Sequence, residues 1–320
     1  MKLLIPIVIL LVILLGICWI FFRFTFTRSG FPMPGKPHLK EDEVDLRPWK
    51  NHREVHDADV SFLRSLPAEE VHIISDDGLK LYGNYIRCEH PKRIVLCVHG
   101  YRGQAVHDFA SAGRWLHEEN CDLLLITQRA SGRSEGEYIT FGAKEKLDVR
   151  AWAQYLDRNN TEHLPIYLYG ISMGCTTVLL SAGLSLPDSV KGIIADCGFS
   201  SIRGILSAQA KQAFHLPSFP AVDILELYCI LLAKFSYRDG EVKEAMRNNR
   251  IPVLFIHGGD DHFVRPENSR ENYNACAAPK QLVIVEHGIH ASSFNENETL
   301  YRQWVRKLFA GTIGQKEEKP

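Results

Sequence analysis

The pentapeptide Gly170-Ile171-Ser172-Met173-Gly174 joins the apolar run Ile166–Tyr169 to a helix-like stretch that begins at Cys175. G-x-S-x-G between a strand and a helix marks a sharp turn that lifts a serine hydroxyl clear of a sheet edge. Gly170 and Gly174 flank the turn because it leaves no room for side chains. The N-terminus of the following helix favours negative charge developing at Ser172. An incidental serine in a glycine-rich turn is the plainer reading, and the strand before and the helix after argue against it. A serine hydroxyl is a weak nucleophile: it needs a base, and the base needs an acid to orient it. In this strand–turn–helix setting both follow later in the chain, at the ends of further strands. Two segments qualify. His257-Gly258-Gly259-Asp260-Asp261-His262-Phe263-Val264 follows the apolar run Val253–Ile256, and Glu286-His287-Gly288-Ile289-His290-Ala291 follows Leu282–Val285.

The elements that would position these groups are legible as alternating runs. Val71–Ser75 and Leu79–Arg87 flank Asp76-Asp77-Gly78, a hairpin signature. Short buried-strand runs follow at Arg93–Val98, Leu123–Thr127, Ile166–Tyr169, Gly192–Ala195, Val253–Ile256 and Leu282–Val285, with helical patterns at about 105–118, 143–158, 173–184, 266–275 and 297–310. This order predicts an α/β fold with a mostly parallel central sheet and helices on both faces. Between Phe199 and Arg250 the connection is too long for a simple crossover. It holds an amphipathic stretch, Ile202–Phe214, and a stretch over 222–233 that is apolar nearly all round. A helical cap over about 200–250, above the carboxyl edge of the sheet, is the expectation; packing of the second helix into the core is the alternative.

From Leu3 to Phe22 there is no charged residue, and about 20 residues of helix cross a hydrocarbon layer of roughly 30 Å. The run leaves through Trp19-Ile20-Phe21-Phe22-Arg23 without a small-x-small exit, so it reads as an uncleaved transmembrane helix and not a signal peptide. The division expected is an anchor over 1–28, a proline- and charge-rich tether over 29–66, a catalytic domain over 67–312 and a polar tail over 313–320. Arg23, Arg28, Lys36 and Lys40 follow the apolar run, which favours a single-pass protein with a cytoplasmic body. Outside the anchor stand seven cysteines at scattered spacings, an odd number that reads as reduced core thiols. With 37 Lys+Arg against 38 Asp+Glu, the net charge is −1, which excludes a general nucleic-acid binder.

Taken together, Val98-His99-Gly100-Tyr101, the Gly170–Gly174 elbow, the H-G-x-x-D-x-x-V pattern of His257–Val264 and the G-x-H-A of Gly288–Ala291 resemble the α/β-hydrolase superfamily. The resemblance runs from about residue 69 to 310 and is nearest to bacterial hydrolases of the serine-aminopeptidase-like and esterase branches. It implies an acid at Asp261, with adjacent Asp260 and more distant Asp196 as rivals, and a base at His290, with His287 left on the surface. It implies an oxyanion hole of two backbone N–H groups, from Met173 and Tyr101. Thr127–Ser134 resembles the family's D-x-R-G-x-G-x-S loop, with Thr127 where Asp is usual.

His257, Asp260, Asp261, His262, His287 and His290 also invite a metal reading, but no H-E-x-x-H or C-x-x-C set occurs. Neither a metal nor a cofactor is expected, and no phosphate-binding glycine loop is present. The function expected is a membrane-anchored serine hydrolase of carboxylic esters, with small-molecule or lipid-like substrates. A peptidase using Asp223 or Glu226 to hold a peptide terminus, and a non-catalytic binding module on the same fold, are the alternatives.

Overall fold

The computed structural model describes residues 4–29, 51–215 and 217–314. Its eight strands are β1 (Ala68–Ile74), β2 (Lys80–Ile86), β3 (Arg93–Val98), β4 (Cys121–Ile126), β5 (Ile166–Ile171), β6 (Val190–Asp196), β7 (Val253–Gly258) and β8 (Lys280–Val285), in the sheet order β1-β2-β4-β3-β5-β6-β7-β8. β1 and β2 pair antiparallel, as do β2 and β4; every pairing from β4 through β3 to β8 is parallel. The hairpin turn is held by Ser75, whose Oγ accepts from Leu79 N (2.9 Å) and donates to Asp77 Oδ1 (2.7 Å).

Among the described residues the α-helices are α1 (Leu4–Phe26), α2 (Arg53–Ser65), α3 (Ala105–Asp108), α4 (Ala110–Glu118), α5 (Glu145–Asn159), α6 (Met173–Ser181), α7 (Ile202–Phe214), α8 (Ala221–Tyr228), α9 (Val242–Asn248), α10 (Glu267–Ala275), α11 (Ser293–Glu296) and α12 (Glu298–Phe309). Side chains alternate along the strands between two cores. Ile94, Leu96 and Val98 of β3 join Trp152, Val178, Leu179 and Met246 on one face, whereas Val95 and Cys97 join Leu63, Trp115, Leu116 and Leu308 on the other. A sheet covered on both faces has no polar side to show, which is why its central strands read as unbroken apolar runs. A third apolar cluster lies over the elbow and joins Phe22 and Phe26 of α1 to Phe141, Met173, Phe199, Ile202 and Cys229.

Several boundaries depart from those read in the sequence. The end of the supposed tether is the ordered helix α2, which buries His56, Asp59, Val60 and Leu63; residues 30–50 and 315–320 lie outside the described residues. α1 continues through Arg23 to Phe26. The helix expected over 105–118 breaks at Phe109 into α3 and α4. The apolar 222–233 stretch is α8 followed by a single π-helical turn, Cys229–Ala233. It is not a core helix, since Leu227, Ile230, Leu231 and Leu232 are exposed. α9, inside the expected cap, buries Val242 and Met246 against the sheet's own core. All eight cysteines are free thiols.

Arg129 ties the hairpin to α5. Its guanidinium donates twice to Asp148 (Nε and Nη2, both 2.6 Å) and twice to Asp77 (2.9 and 3.0 Å). Arg129 and Asp148 are both buried, whereas Asp77 is half-exposed. Removing the guanidinium strands a buried carboxylate, so Arg129→Leu is expected to cost about 3–5 kcal/mol. Asp77→Asn, which breaks only a solvent-screened pair, is expected to cost about 1 kcal/mol or less. Urea unfolding checks both, read as a lower midpoint at unchanged slope.

Candidate active site

β5 runs directly into α6 through Ser172, whose backbone takes φ 56° and ψ −118°. A non-glycine residue adopts such a conformation only when its surroundings fix it. Here they do: a Cβ on Gly170 would lie 2.6 Å from Cys175 N, and one on Gly174 2.6 Å from His99 O. The turn raises Ser172 Oγ to 2.8 Å from His290 Nε2, and His290 Nδ1 lies 2.7 Å from Asp261 Oδ2. With Asp261 ionised, His290 carries its proton on Nδ1, which leaves Nε2 to accept the Ser172 hydroxyl. His290 sits on the loop after β8 and Asp261 on the loop after β7. The loops are locked together by Asp260 N, which donates to Gly288 O (2.9 Å), and by Gly259 N, which donates to Val285 O (2.7 Å).

Asp261 is fully buried. Burial alone would raise its carboxyl, but hydrogen bonds and charge from His257 and His290 hold it well below the usual carboxylate range. Its Oδ1 also accepts the Phe263 and Val264 amides, each at 2.9 Å. The rivals point elsewhere. Asp260 faces solvent and lies 3.4 Å from the exposed His287. Asp196 accepts from Tyr301 Oη (2.9 Å) and Ser293 Oγ (3.3 Å), and Tyr301 is itself 2.6 Å from Tyr169 Oη.

The loop after β3 lies against the nucleophile: a Cβ on Gly100 would lie 3.4 Å from Ser172 Cβ. His99 anchors that loop. Its Nε2 accepts from Gln128 N (3.1 Å), so its proton is on Nδ1 and goes to Gly100 O (2.8 Å); burial lowers its pKa to about 4 and keeps it neutral. Gly100 N donates to Asp108 Oδ2 (2.6 Å). The next residue is Tyr101. Met173 opens α6, where the first N–H groups have no partner within their helix. Phe263 lies over His290, with ring centroids 4.9 Å apart.

Sequence reasoning missed Asp108, Gln128 and the Tyr169–Tyr301–Asp196 chain, none of which has a local signature. It also missed the tie between this loop and α1. Tyr101 Oη donates to Thr25 O (2.9 Å), and Arg102 Nη2 donates to Phe24 O (2.9 Å) and Thr27 O (2.7 Å). Of the residues that invited a metal reading, His257 is turned to Ser269 Oγ and Val264 O, each at 2.7 Å. Cys197, Asp261 and His290 bring donor atoms within 4.8 Å of one another. Burial pushes the Cys197 thiol well up, and Asp261 and His290 already bond each other.

A nucleophile elbow on a sheet of this order is the mark of the α/β-hydrolase fold. The family described as "Serine aminopeptidase, S33" matches residues 89–225. The uncharacterized protein YqkD of Bacillus subtilis is 31% identical over 221 residues, which cover 68% of this chain and 71% of that protein. The uncharacterized protein YfhR of Escherichia coli is 25% identical over 244 residues, covering 74% and 78%. The esterase Pf2001 of Pyrococcus furiosus superposes with a TM-score of 0.62 over 80% of this chain and 96% of its own, at 21% identity, and shares the fold. The chain belongs to the α/β-hydrolase superfamily, with a serine-aminopeptidase-like domain, and is a hydrolytic enzyme.

Asp108 offers a test of the loop's electrostatics. Burial pushes its carboxyl up to about 6, against the Gly100 hydrogen bond and the charge of His290. A folded value above the unfolded one means that ionisation opposes folding: the contribution is intact at low pH and is lost as pH rises through about 6. Relative to the parent, Asp108→Asn is therefore expected to gain on the order of 2 kcal/mol between pH 4 and pH 7. Urea unfolding of both proteins across that range checks it, and a gain on acidification would contradict it.

Proposed function

We propose that the chain is a serine hydrolase that cleaves carboxylic esters through Ser172, His290 and Asp261. The observation that carries this reading is the unbroken hydrogen-bond chain from Ser172 Oγ through His290 to Asp261. In the proposed cycle His290 Nε2 takes the Ser172 proton as Oγ attacks the ester carbonyl, and the backbone N–H groups of Met173 and Tyr101 hold the oxyanion. His290 returns the proton to the departing alcohol. Water then attacks the acyl-enzyme, with His290 again as base. Asp261 stays ionised throughout and keeps the imidazole in the required tautomer.

The same groups would serve a peptidase acting on short peptides. That reading needs a free carboxylate for the peptide's amino terminus. Its candidates are engaged within the cap: Arg203 pairs with Asp223 (2.9 Å) and with Glu226, whose other oxygen accepts Tyr237 N (3.0 Å). This favours the ester. We further read α1 as a membrane anchor, supported by 22 residues of high hydropathy with few buried side chains, and the body as cytoplasmic, supported by the free thiols.

Full-length protein in detergent is expected to hydrolyse p-nitrophenyl esters and to leave unblocked amino-acid p-nitroanilides intact. Ser172→Ala is expected to lower kcat by at least about 10³-fold and Asp261→Asn by a comparable factor, whereas Asp260→Asn stays near the parent. Turnover retained by Ser172→Ala would remove the serine from the mechanism.

A further inference from the structure

The cap carries an apolar face that the proposed chemistry does not use. Leu227, Ile230, Leu231 and Leu232 are 49, 46, 53 and 38% exposed, and Phe219, just before α8, is 77% exposed. From Leu227 to Ala233 there is no charged residue. The one side-chain hydroxyl in that stretch is Tyr228 Oη, and it donates to Leu15 O of α1 (3.1 Å). The Tyr228 ring also meets Trp19 and Phe22, with centroids 5.5 and 5.7 Å apart. Residues 15, 19 and 22 form one stripe of α1, so α8 is packed along the helix and not merely touching its end.

The position of that contact fixes a depth. Ile5–Phe26 comprises 22 residues, about 33 Å of helix, which matches a hydrocarbon layer of roughly 30 Å. Leu15 is ten residues from Ile5 and eleven from Phe26, close to the middle. A bilayer that accommodates α1 along its length therefore reaches Tyr228 as well, and with it α8 and the π turn. Side chains there that face away from α1 must meet lipid. The residues fit that surrounding. From Leu227 to Ala233 the exposed ones are Leu and Ile, the helical backbone satisfies itself, and Lys234, the first charge after the run, donates its ammonium to Leu231 O (2.7 Å). The charges in the earlier turns of α8 itself, the half-exposed Asp223 and the more buried Glu226, are paired with Arg203.

We propose that the outer face of the cap is inserted in the same bilayer as α1, so that the enzyme meets its ester as a membrane lipid. At the other end of α1 the carbonyls of Phe24, Thr25 and Thr27 are held by Tyr101 and Arg102, the loop beside Ser172. Phe26 is eleven residues, about 16 Å, from Leu15. That distance is half the hydrocarbon thickness, the level at which the ester groups of a bilayer lipid lie. The substrate class named here rests on the esterase reading above; the insertion rests only on α1 being an anchor.

The test uses full-length protein in phosphatidylcholine vesicles, in a Cys88→Ser background, with an environment-sensitive fluorophore at one added cysteine. The positions are Leu231→Cys on the cap, Leu11→Cys on α1 and Glu162→Cys on the loop before β5. Leu231 and Leu11 labels are expected to lose most of their fluorescence to lipids with a nitroxide on the acyl chain and little to aqueous iodide, with Glu162 the reverse. Iodide quenching at Leu231 with lipid quenching at Leu11 overturns the insertion and leaves the anchor. Iodide quenching at both overturns the two together. Separately, Leu231→Asp is expected to keep turnover of a soluble short-chain p-nitrophenyl ester and to lower turnover of vesicle lipid esters at least tenfold. Equal lipid turnover by the variant would overturn the cap's part in meeting the lipid, absence of lipid turnover in the parent would overturn the substrate class, and absence of soluble turnover in the parent would overturn the esterase reading.

Discussion

Between the elbow and the end of β3 there is no space for one methyl group. A Cβ on Gly174 would collide with Val98 O, and one on Gly170 with the Gly174 carbonyl. Because α6 starts this close to β3, Ser172 is forced into its positive-φ conformation and the Gly100 loop is drawn against it. The strain, of order 1–3 kcal/mol at such a residue, persists because its surroundings over-determine it. A second contact of the same kind lies between β7 and β8. A Cβ on Gly258 would lie 2.9 Å from Ile289 O, and the Asp260 and Gly259 amides bond across the same gap. One backbone contact thus fixes the serine and its loop, and the other fixes the carboxylate against the imidazole. The side chains meet because the main chains have nowhere else to go.

Electrostatics then sorts the acids around the site. Burial works against ionisation of Asp108, Asp196 and Asp261 alike, and what separates them is the supply of donors. Asp261 has two backbone amides and two imidazoles, and its carboxyl is held low. Asp196 has two hydroxyls and Asp108 one amide, and both are pushed up to about 6. Of the three, Asp261 alone stays an anion well below neutral pH, and it is the one bonded to His290.

Much of this was legible because doubly covered strands announce themselves. β3 through β8 read as apolar runs of the right length, and motif spacing put Ser172, Asp261 and His290 at three strand ends. Spacing could not choose between Asp260 and Asp261, which share one turn; the difference comes from the Phe263 and Val264 amides and from His257, that is, from loop geometry. α2 was hidden for another reason. Its buried stripe includes His56 and Asp59, which count as polar in any periodicity, and it follows a proline-rich stretch that reads as linker. Arg129 stood in a recognised loop, yet its partners Asp77 and Asp148 lie 52 and 19 residues away. The bonds from Tyr101 and Arg102 to α1 span 75 to 78 residues, and nothing local encodes them.

Those last bonds change what α1 is. An anchor joined by a flexible tether could be removed without consequence for the domain, and the prolines between residues 32 and 48 suggest such a design. The contacts contradict it. Phe26 packs on Phe141 (5.3 Å between centroids), Phe141 stacks on Tyr101 (5.2 Å), and Phe199 joins them at 6.2 Å. Ile139 N donates to Phe26 O and Arg28 N to Glu137 O, each at 2.8 Å. Phe22 and Phe26 are buried as deeply as any core residue of the sheet. A chain beginning near Ser29 would uncover that aromatic cluster and release the Tyr101 and Arg102 side chains beside the nucleophile. Burying two phenylalanine side chains is worth about 3–6 kcal/mol, so the shortened protein would lose stability at the loop that carries the Tyr101 amide. Weak turnover by such a chain would follow from the missing roof alone, and would say nothing against the serine beneath it.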